Sequence, residues 1–424
     1  MIKLEFRHGG QVHAEISLPL SKSECNRALI LSAWSGGKIN VNQLSEAADS
    51  QLLQKLLLQE NTGYYDAEDA GTTLRFLTSF LALSGRKCII SGSERMQNRP
   101  IGELVDALRK LGCRISYTGK EGFPPLELSG FSYSGMHELE MENVKSSQFV
   151  SSLMMAAPAL PEGISIRLEG KTGSFPYLEL TASLMKKAGL RLHADREFIR
   201  IPPQPWNEVQ LSCGADWSAA SYWYAILACL PEGSSFDFPG LEQDSTQGDR
   251  IAADLATFWN VQTQAVPGGI RIIKGSETKE NAMFSFSFHD CPDLALTFIC
   301  LCAASGRKGD FSGLSSLSIK ESDRLQVIRE ELNKAGTELK IHPGGDAASL
   351  EASAGNWPVN PPQFECHGDH RIAMALSILL AGKDRSAFFS DERVVGKSYP
   401  SYWKDLQKAC FIYEPEEARS AGSF

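Results

Sequence analysis

The sequence predicts an α/β fold assembled from about six copies of one supersecondary unit, and three observations lead there. The first is a recurrence with a period of about 75 residues, in which each copy closes a helix with Leu/Met-x-x-x-Gly or a variant and then begins a strand. The copies end at Leu108–Ile115 (LRKLGCRI), Met185–Leu192 (MKKAGLRL), Leu332–Leu339 (LNKAGTEL) and Leu406–Tyr413 (LQKACFIY). A degenerate copy is Leu255–Val261 (LATFWNV), and a first, shortened one falls around Leu52–Tyr64. The second observation is that almost wholly apolar helical stretches alternate with amphipathic ones. The third is the set of short alternating segments between them, which read as strands.

In chain order, Lys3–Phe6 alternates as a strand, and Glu15–Leu18 is a strand leading into Pro19. Apolar helices are expected over Asn26–Ser35, Thr72–Leu83, Ser147–Ala157, Ser218–Leu230, Asp293–Ala304 and Ile372–Ala381, and helices without a polar face are buried ones. Amphipathic helices are expected over Ile101–Leu111, Tyr177–Ala188 and Arg324–Ala335, with Lys or Arg near the C-terminal turn as the helix dipole favours. Strands follow at Ile164–Leu168, Phe236–Phe238, Ile270–Ile273 and Gly309–Ser312. If the six units divide three and three, Glu15–Pro19 and the short polar Gln210–Ala215 are the crossover points.

Composition bounds the function. A chain of 424 residues needs two or more domains, and 42% hydrophobic with 22% charged residues is globular. The formal net charge of -9 argues against nucleic acid as partner, but allows anionic small substrates if basic residues concentrate in a cleft. Ten scattered cysteines without a C-x-x-C pair give neither a zinc site nor a disulfide framework, and fit a reducing cytoplasm. No signal peptide or membrane span is expected, and Glu416–Phe424 reads as a solvated tail.

The chemistry sits in loops that open helices. Lys22, Ser23 and Arg27 stand at the start of an apolar helix, where free N–H groups favour an anion, and Arg27 one turn inside calls for an anionic partner. Asp69-Ala70-Gly71-Thr72-Thr73-Leu74-Arg75 opens the next with a glycine that permits close backbone approach. Arg99 precedes Pro100, expected at the first helical position. Ser146, Ser147 and Gln148 head a third apolar helix, and Ser174 with Tyr177 repeats the design one unit later. Lys320-Glu321-Ser322-Asp323-Arg324 opens an amphipathic helix; Asp369-His370-Arg371 and Lys397 follow in later loops. Asp293 heads a wholly apolar helix, where it also reads as an N-cap. Seven cations (Lys22, Arg27, Arg99, Lys320, Arg324, Arg371, Lys397) with the carboxylates Asp293 and Glu321 describe a cleft for highly anionic substrates, with groups for proton transfer.

Ser-Lys-Ser-x-x-Asn-Arg, Ala-Gly-Thr, Arg-Pro-Ile-Gly, Ser-Ser-Gln-Phe, Pro-Asp, Lys-Glu-Ser-Asp-Arg, Asp-His-Arg and Lys-Ser-x-Pro occur here in order between Ser21 and Pro400. In this the chain resembles the enolpyruvyl transferase family of the 3-phosphoshikimate 1-carboxyvinyltransferases, the EPSP synthases. The resemblance implies two lobes, 21–214 and 1–20 plus 215–424, each of three βαβαββ-type units, with the active site in the inter-lobe cleft. It implies transfer of the enolpyruvyl group of phosphoenolpyruvate to the 5-hydroxyl of shikimate 3-phosphate with release of phosphate, on the way to aromatic amino acids. No metal or organic cofactor is implied, and a cytoplasmic monomer is expected. Carried over residue by residue, shikimate 3-phosphate falls to Lys22, Ser23, Arg27, Ser146, Ser147, Gln148, Ser174, Tyr177, Asp293 and Lys320. Phosphoenolpyruvate falls to Lys22, Gly71, Arg99, Gln148, Arg324, Arg371 and Lys397. Asp293 is implied as the base, and Glu321 with Lys22 as the acid. Gly71 implies sensitivity to glyphosate.

The chain departs from the family pattern at Leu20, Asp69, Phe76, Ser318 and Val394, and roughly twenty residues are missing between Gln59 and Asp69. These departures bear on affinity, since each catalytic group is retained. The sister enolpyruvyl transferase acting on UDP-N-acetylglucosamine is disfavoured by Lys22-Ser23 and by the Ser-Ser-Gln triplet. A silent binding paralogue is disfavoured by Lys22, Asp293 and Glu321. The loop Asp244–Arg250 has no role on this reading.

Overall fold

The computed structural model describes residues 1–7, 9–59, 63–170, 173–276, 282–351 and 357–415; the expected tail lies outside them. The chain divides into a continuous unit, Leu20–Cys213, and a split unit, Met1–Pro19 with Gly214–Phe424.

One sheet plan recurs. In the continuous unit, Tyr64–Asp66 and Lys87–Ser91 pair in parallel, and Leu126–Phe131 with Cys113–Tyr117 adds an antiparallel hairpin. Glu138–Glu142, Ile164–Glu169, Phe198–Ile201 and His193–Ala194 repeat the order. A parallel pair requires a crossover, and a helix supplies each one: Gly71–Leu83 between the first pair, Ser147–Ala156 between the second. The third sheet keeps the parallel pair alone among the described residues, Val209–Leu211 beside Ile39–Val41. The Ala48–Leu57 helix is followed at Tyr64 by the first strand of the next sheet, so the intervening residues are too few for a hairpin. The shortening in the sequence is therefore the loss of one hairpin.

The split unit has the same plan three times. His13–Glu15, Ser235–Pro239, Gly269–Lys274 and Val261–Val266 form one sheet, and Phe284–Ser287, Gly309–Ser312, Ala347–Leu350 and Leu339–Ile341 the second. The third takes Gln363–Phe364, Arg385–Phe389 and Phe411–Glu414 from the end of the chain and inserts Ile2–Phe6 as an inner strand.

Each unit has three buried helices packed on one another. They are Lys22–Trp34, Gly71–Leu83 and Ser147–Ala156 in the continuous unit, and Trp217–Ala228, Ala295–Ser305 and His370–Ser377 in the split unit. Their burial explains their composition: in Ala295–Ser305 every residue except Ser305 is buried. The amphipathic helices Gly102–Leu111, Pro176–Lys187 and Arg324–Lys334 keep a solvated face.

Three local expectations differ. The strand expected at Glu15–Leu18 is His13–Glu15, because its parallel partner register ends at Asp237 and Pro19 cannot donate. Pro100 lies outside its helix, which begins at Gly102 after Ile101 turns back to donate to the Gly122 carbonyl. Asp293 does not cap: it sits in a 3₁₀ turn, Pro292–Leu294, and its carboxylate accepts from arginines instead.

Candidate active site

In the continuous unit the three buried helices share one end, since residues near their N-termini bond across it. Ser21 caps the first helix by accepting from the Glu24 N–H, which leaves Lys22 and Ser23 in its first turn. Lys22 Nζ donates to Asp49 Oδ2 at 3.0 Å, an aspartate from the start of the Ala48–Leu57 helix. Arg27 is buried, and its guanidinium meets neutral acceptors: Thr181 Oγ1 at 2.7 Å, the Ser23 carbonyl at 2.9 Å, and Ser151 Oγ and the Tyr177 carbonyl at 3.3 Å. The rings of Phe76 and Tyr177 lie within 5.8 Å of its Cζ. Burial pulls it down to about 10, against the attraction of Tyr177 and Glu24, so it stays charged at neutral pH. The anionic partner expected from sequence is not a carboxylate hydrogen bond among the described residues.

Gly71 opens the second helix without a side-chain cap. A Cβ there would lie 2.7 Å from Arg99 Nη1 and 2.9 Å from Arg75 Nη1, so two guanidiniums converge on a bare helix mouth. Ser146 caps the third helix by accepting from Gln148 N–H at 3.3 Å, Ser147 is buried, and Gln148 Nε2 donates to Thr72 Oγ1 at 2.9 Å. Ser174 takes a left-handed conformation (φ 61°), and its carbonyl accepts from the Tyr177 N–H. Asp69 accepts from the Ser93 hydroxyl.

The split unit arranges its charges differently. Arg324 is 1% exposed and bonds three carboxylates: Asp369 Oδ2 through Nε at 2.8 Å, Asp293 Oδ1 through Nη1 at 3.0 Å, and Glu321 through Nη2. Arg371 Nη2 donates to Asp293 Oδ2 at 3.0 Å, and Lys320 Nζ is 3.5 Å from Asp293 Oδ1. Asp369 caps the His370–Ser377 helix by accepting from Arg371 N–H, and Asp323 caps Arg324–Lys334 by accepting from Gln326 N–H. Lys397 ends the Arg393–Lys397 turn, half-buried. Burial works to raise Asp293, but Arg371, Lys320 and Arg324 outweigh it and hold it well below the usual carboxylate range. Lys320 is itself lowered, chiefly by burial.

Several neighbours escaped the sequence reading. Asp49 and Thr181 had no signal, being set beside Lys22 and Arg27 only by packing. Arg75 had one: it lies one turn into an apolar helix, as Arg27 does. Asp249, in the loop without a role, is buried and accepts from Ser218 Oγ, while its Oδ1 has no hydrogen-bond partner among the described residues. Burial pushes it up to about 6, against Arg371 and with the help of the Asp293 charge. Its neighbour Gln247 accepts from the Trp217 N–H and donates to the Ala215 carbonyl, which seats this loop at the mouth of the Trp217–Ala228 helix.

The comparisons with known proteins agree with one another. The family model for EPSP synthase (3-phosphoshikimate 1-carboxyvinyltransferase) matches residues 58–406. A 3-phosphoshikimate 1-carboxyvinyltransferase of Bacteroides fragilis is 39% identical over 402 residues, covering 95% of this chain and 96% of its own. One of Bordetella petrii is 30% identical, covering 94% and 95%. The solved EPSP synthase of Acinetobacter baumannii, 18% identical, superposes with a TM-score of 0.74 over 98% of this chain and 100% of its own, which establishes the shared fold. The chain belongs to the EPSP synthase family.

Proposed function

We propose that the protein transfers the enolpyruvyl group of phosphoenolpyruvate to the 5-hydroxyl of shikimate 3-phosphate by addition and elimination. The observation that carries this reading is Asp293, held at 3.0 Å by both Arg324 and Arg371, with Glu321 on the same Arg324. A base and an acid thus share one cationic frame. The reading assigns phosphoenolpyruvate to Lys22, Gly71, Arg99 and Gln148 of the continuous unit and to Arg324, Arg371 and Lys397 of the split unit. Shikimate 3-phosphate is assigned to Lys22, Ser23, Arg27, Ser146, Ser147, Gln148, Ser174 and Tyr177, with Lys320 and Asp293.

Asp293 takes the hydroxyl proton as the oxygen attacks C2 of phosphoenolpyruvate. Glu321, with Lys22, protonates the methylene carbon, giving a tetrahedral intermediate. Elimination reverses these roles: the group that protonated the carbon takes a proton back from it, the C2–O bond to phosphate breaks, and Asp293 returns its proton to the departing phosphate. Asp293 is a weak base while Arg371, Lys320 and Arg324 surround it. An arriving phosphate or carboxylate competes for the same cations and raises its basicity, so the substrate switches on its own base. Arg27 supports the other half of the reading: it is a buried cation among neutral acceptors, which leaves its charge available to a substrate anion.

Phosphate release should require both phosphoenolpyruvate and shikimate 3-phosphate, and glyphosate should compete with phosphoenolpyruvate. Release with UDP-N-acetylglucosamine in place of shikimate 3-phosphate overturns the reading.

A further inference from the structure

Arg75 is buried, and the scheme above leaves it without a role. It lies one turn into the Gly71–Leu83 helix and touches the surroundings of each neighbour assigned to phosphoenolpyruvate in that region. Nη1 donates to Gln148 Oε1 at 2.7 Å. Nη2 donates at 3.2 Å to the carbonyl of Pro100, the residue after Arg99. Nη1 also stands 2.9 Å from the position a Gly71 Cβ would take. The Phe149 ring, 5.4 Å from Cζ, packs on the guanidinium and restricts it.

A guanidinium carries donors and no acceptor, so the Gln148 amide can face it only through its oxygen. That decides the rotation of the amide. Nε2 turns the other way, where one hydrogen goes to Thr72 Oγ1 at 2.9 Å and the second is left to donate. An amide turned over would present its oxygen to an anion, which is repulsive. We propose that Arg75 is the positioning residue of the phosphoenolpyruvate subsite in the continuous unit: it holds Gln148 as a hydrogen-bond donor and ties the Arg99–Pro100 turn to the Gly71 helix mouth. This rests on the assignment of Gly71, Arg99 and Gln148 to phosphoenolpyruvate.

The test uses the full chain with Arg75→Met, Arg75→Lys, Gln148→Met and the Arg75→Met/Gln148→Met double variant. The wild-type reaction with both substrates is run first, so a failure of the reaction itself is seen separately from a failure of the variants. Arg75→Met should raise KM for phosphoenolpyruvate about tenfold with a smaller change in kcat, the loss of roughly one good hydrogen bond. Arg75→Lys should recover part of it, and the double variant should lose little more than the worse single one. Independently of turnover, the Gln148 side-chain amide resonances, assigned by their absence in Gln148→Met, should shift and exchange faster with solvent in Arg75→Met. An unchanged KM with a lowered melting temperature, additive losses in the double variant, or amide resonances indifferent to Arg75→Met each overturn the proposal.

Discussion

Both units carry arginines at helix mouths, yet the hydrogen bonds around those arginines differ, even though Lys22 of the continuous unit is itself paired with Asp49. In the continuous unit Arg27 and Arg75 meet hydroxyls, carbonyls and an amide. In the split unit Arg324 meets Asp293, Glu321 and Asp369, and Arg371 meets Asp293 again. Arg27, whose hydrogen bonds all go to neutral acceptors, is solvated by the protein without a carboxylate hydrogen bond, which suits holding an anion. A cation among carboxylates is compensated, and an anion arriving there frees a carboxylate instead. On the proposed function, the first arrangement would bind an anion and the second would also tune proton transfer.

That contrast can be broken at its strongest point first. Asp293→Asn should lower phosphate release by about 10²–10⁴-fold with the fold intact, as should Glu321→Gln, whereas Ser147→Ala should act mainly on KM. An Asp293→Asn enzyme within a few-fold of wild type would remove the proton-transfer role from the split unit. Next in size is the cost of losing each arginine. Arg324→Met strands buried carboxylates, Asp369 among them at 0% exposure, and should cost about 3–5 kcal/mol in denaturant unfolding. Arg27→Met leaves only neutral groups unpaired and should cost about 1–3 kcal/mol. Equal costs would mean that the difference in partners carries no energetic weight.

A pH series sharpens the comparison further. Asp249 is raised to about 6, so the fold prefers it protonated and is progressively penalised as pH rises from the unfolded carboxylate range through that value. Asp249→Asn does not titrate. It should therefore stabilise the protein by about 1–3 kcal/mol at pH 8, with the gain shrinking on acidification and gone near pH 4. A pH-independent gain would show that Asp249 is already ionised in the fold. The smallest effect is expected from Gly71→Ala. Its methyl would press on two guanidinium tips that can yield, so stability should fall by less than about 1 kcal/mol while KM for phosphoenolpyruvate rises.

Much of this was legible in the sequence, for reasons that can be named. Helix ends announced themselves through residues such as Gly112, which takes a left-handed C-cap, and the buried helices through their lack of a polar face. The chemistry-bearing loops were legible because Lys22, Gly71, Gln148 and Arg371 all lie within a turn of a helix start. What was not legible is who neutralises whom. Asp49 is 27 residues from Lys22 and Thr181 is 154 from Arg27. Such partners are chosen by packing, and no local pattern encodes them. Asp293 was ambiguous for the complementary reason, since Pro-Asp before an apolar run fits an N-cap as well as it fits a base.

The inner strand Ile2–Phe6 has a consequence for how the molecule is made. Its neighbours are Arg385–Phe389 and Phe411–Glu414, so a strand made before the whole of Leu20–Cys213 must wait for partners made after it. Leu20–Cys213 pairs its strands within one contiguous stretch. The continuous unit can fold once its own stretch is made, whereas the split unit completes the sheet around Ile2–Phe6 only through the longest-range pairings described, the kind expected to form slowly.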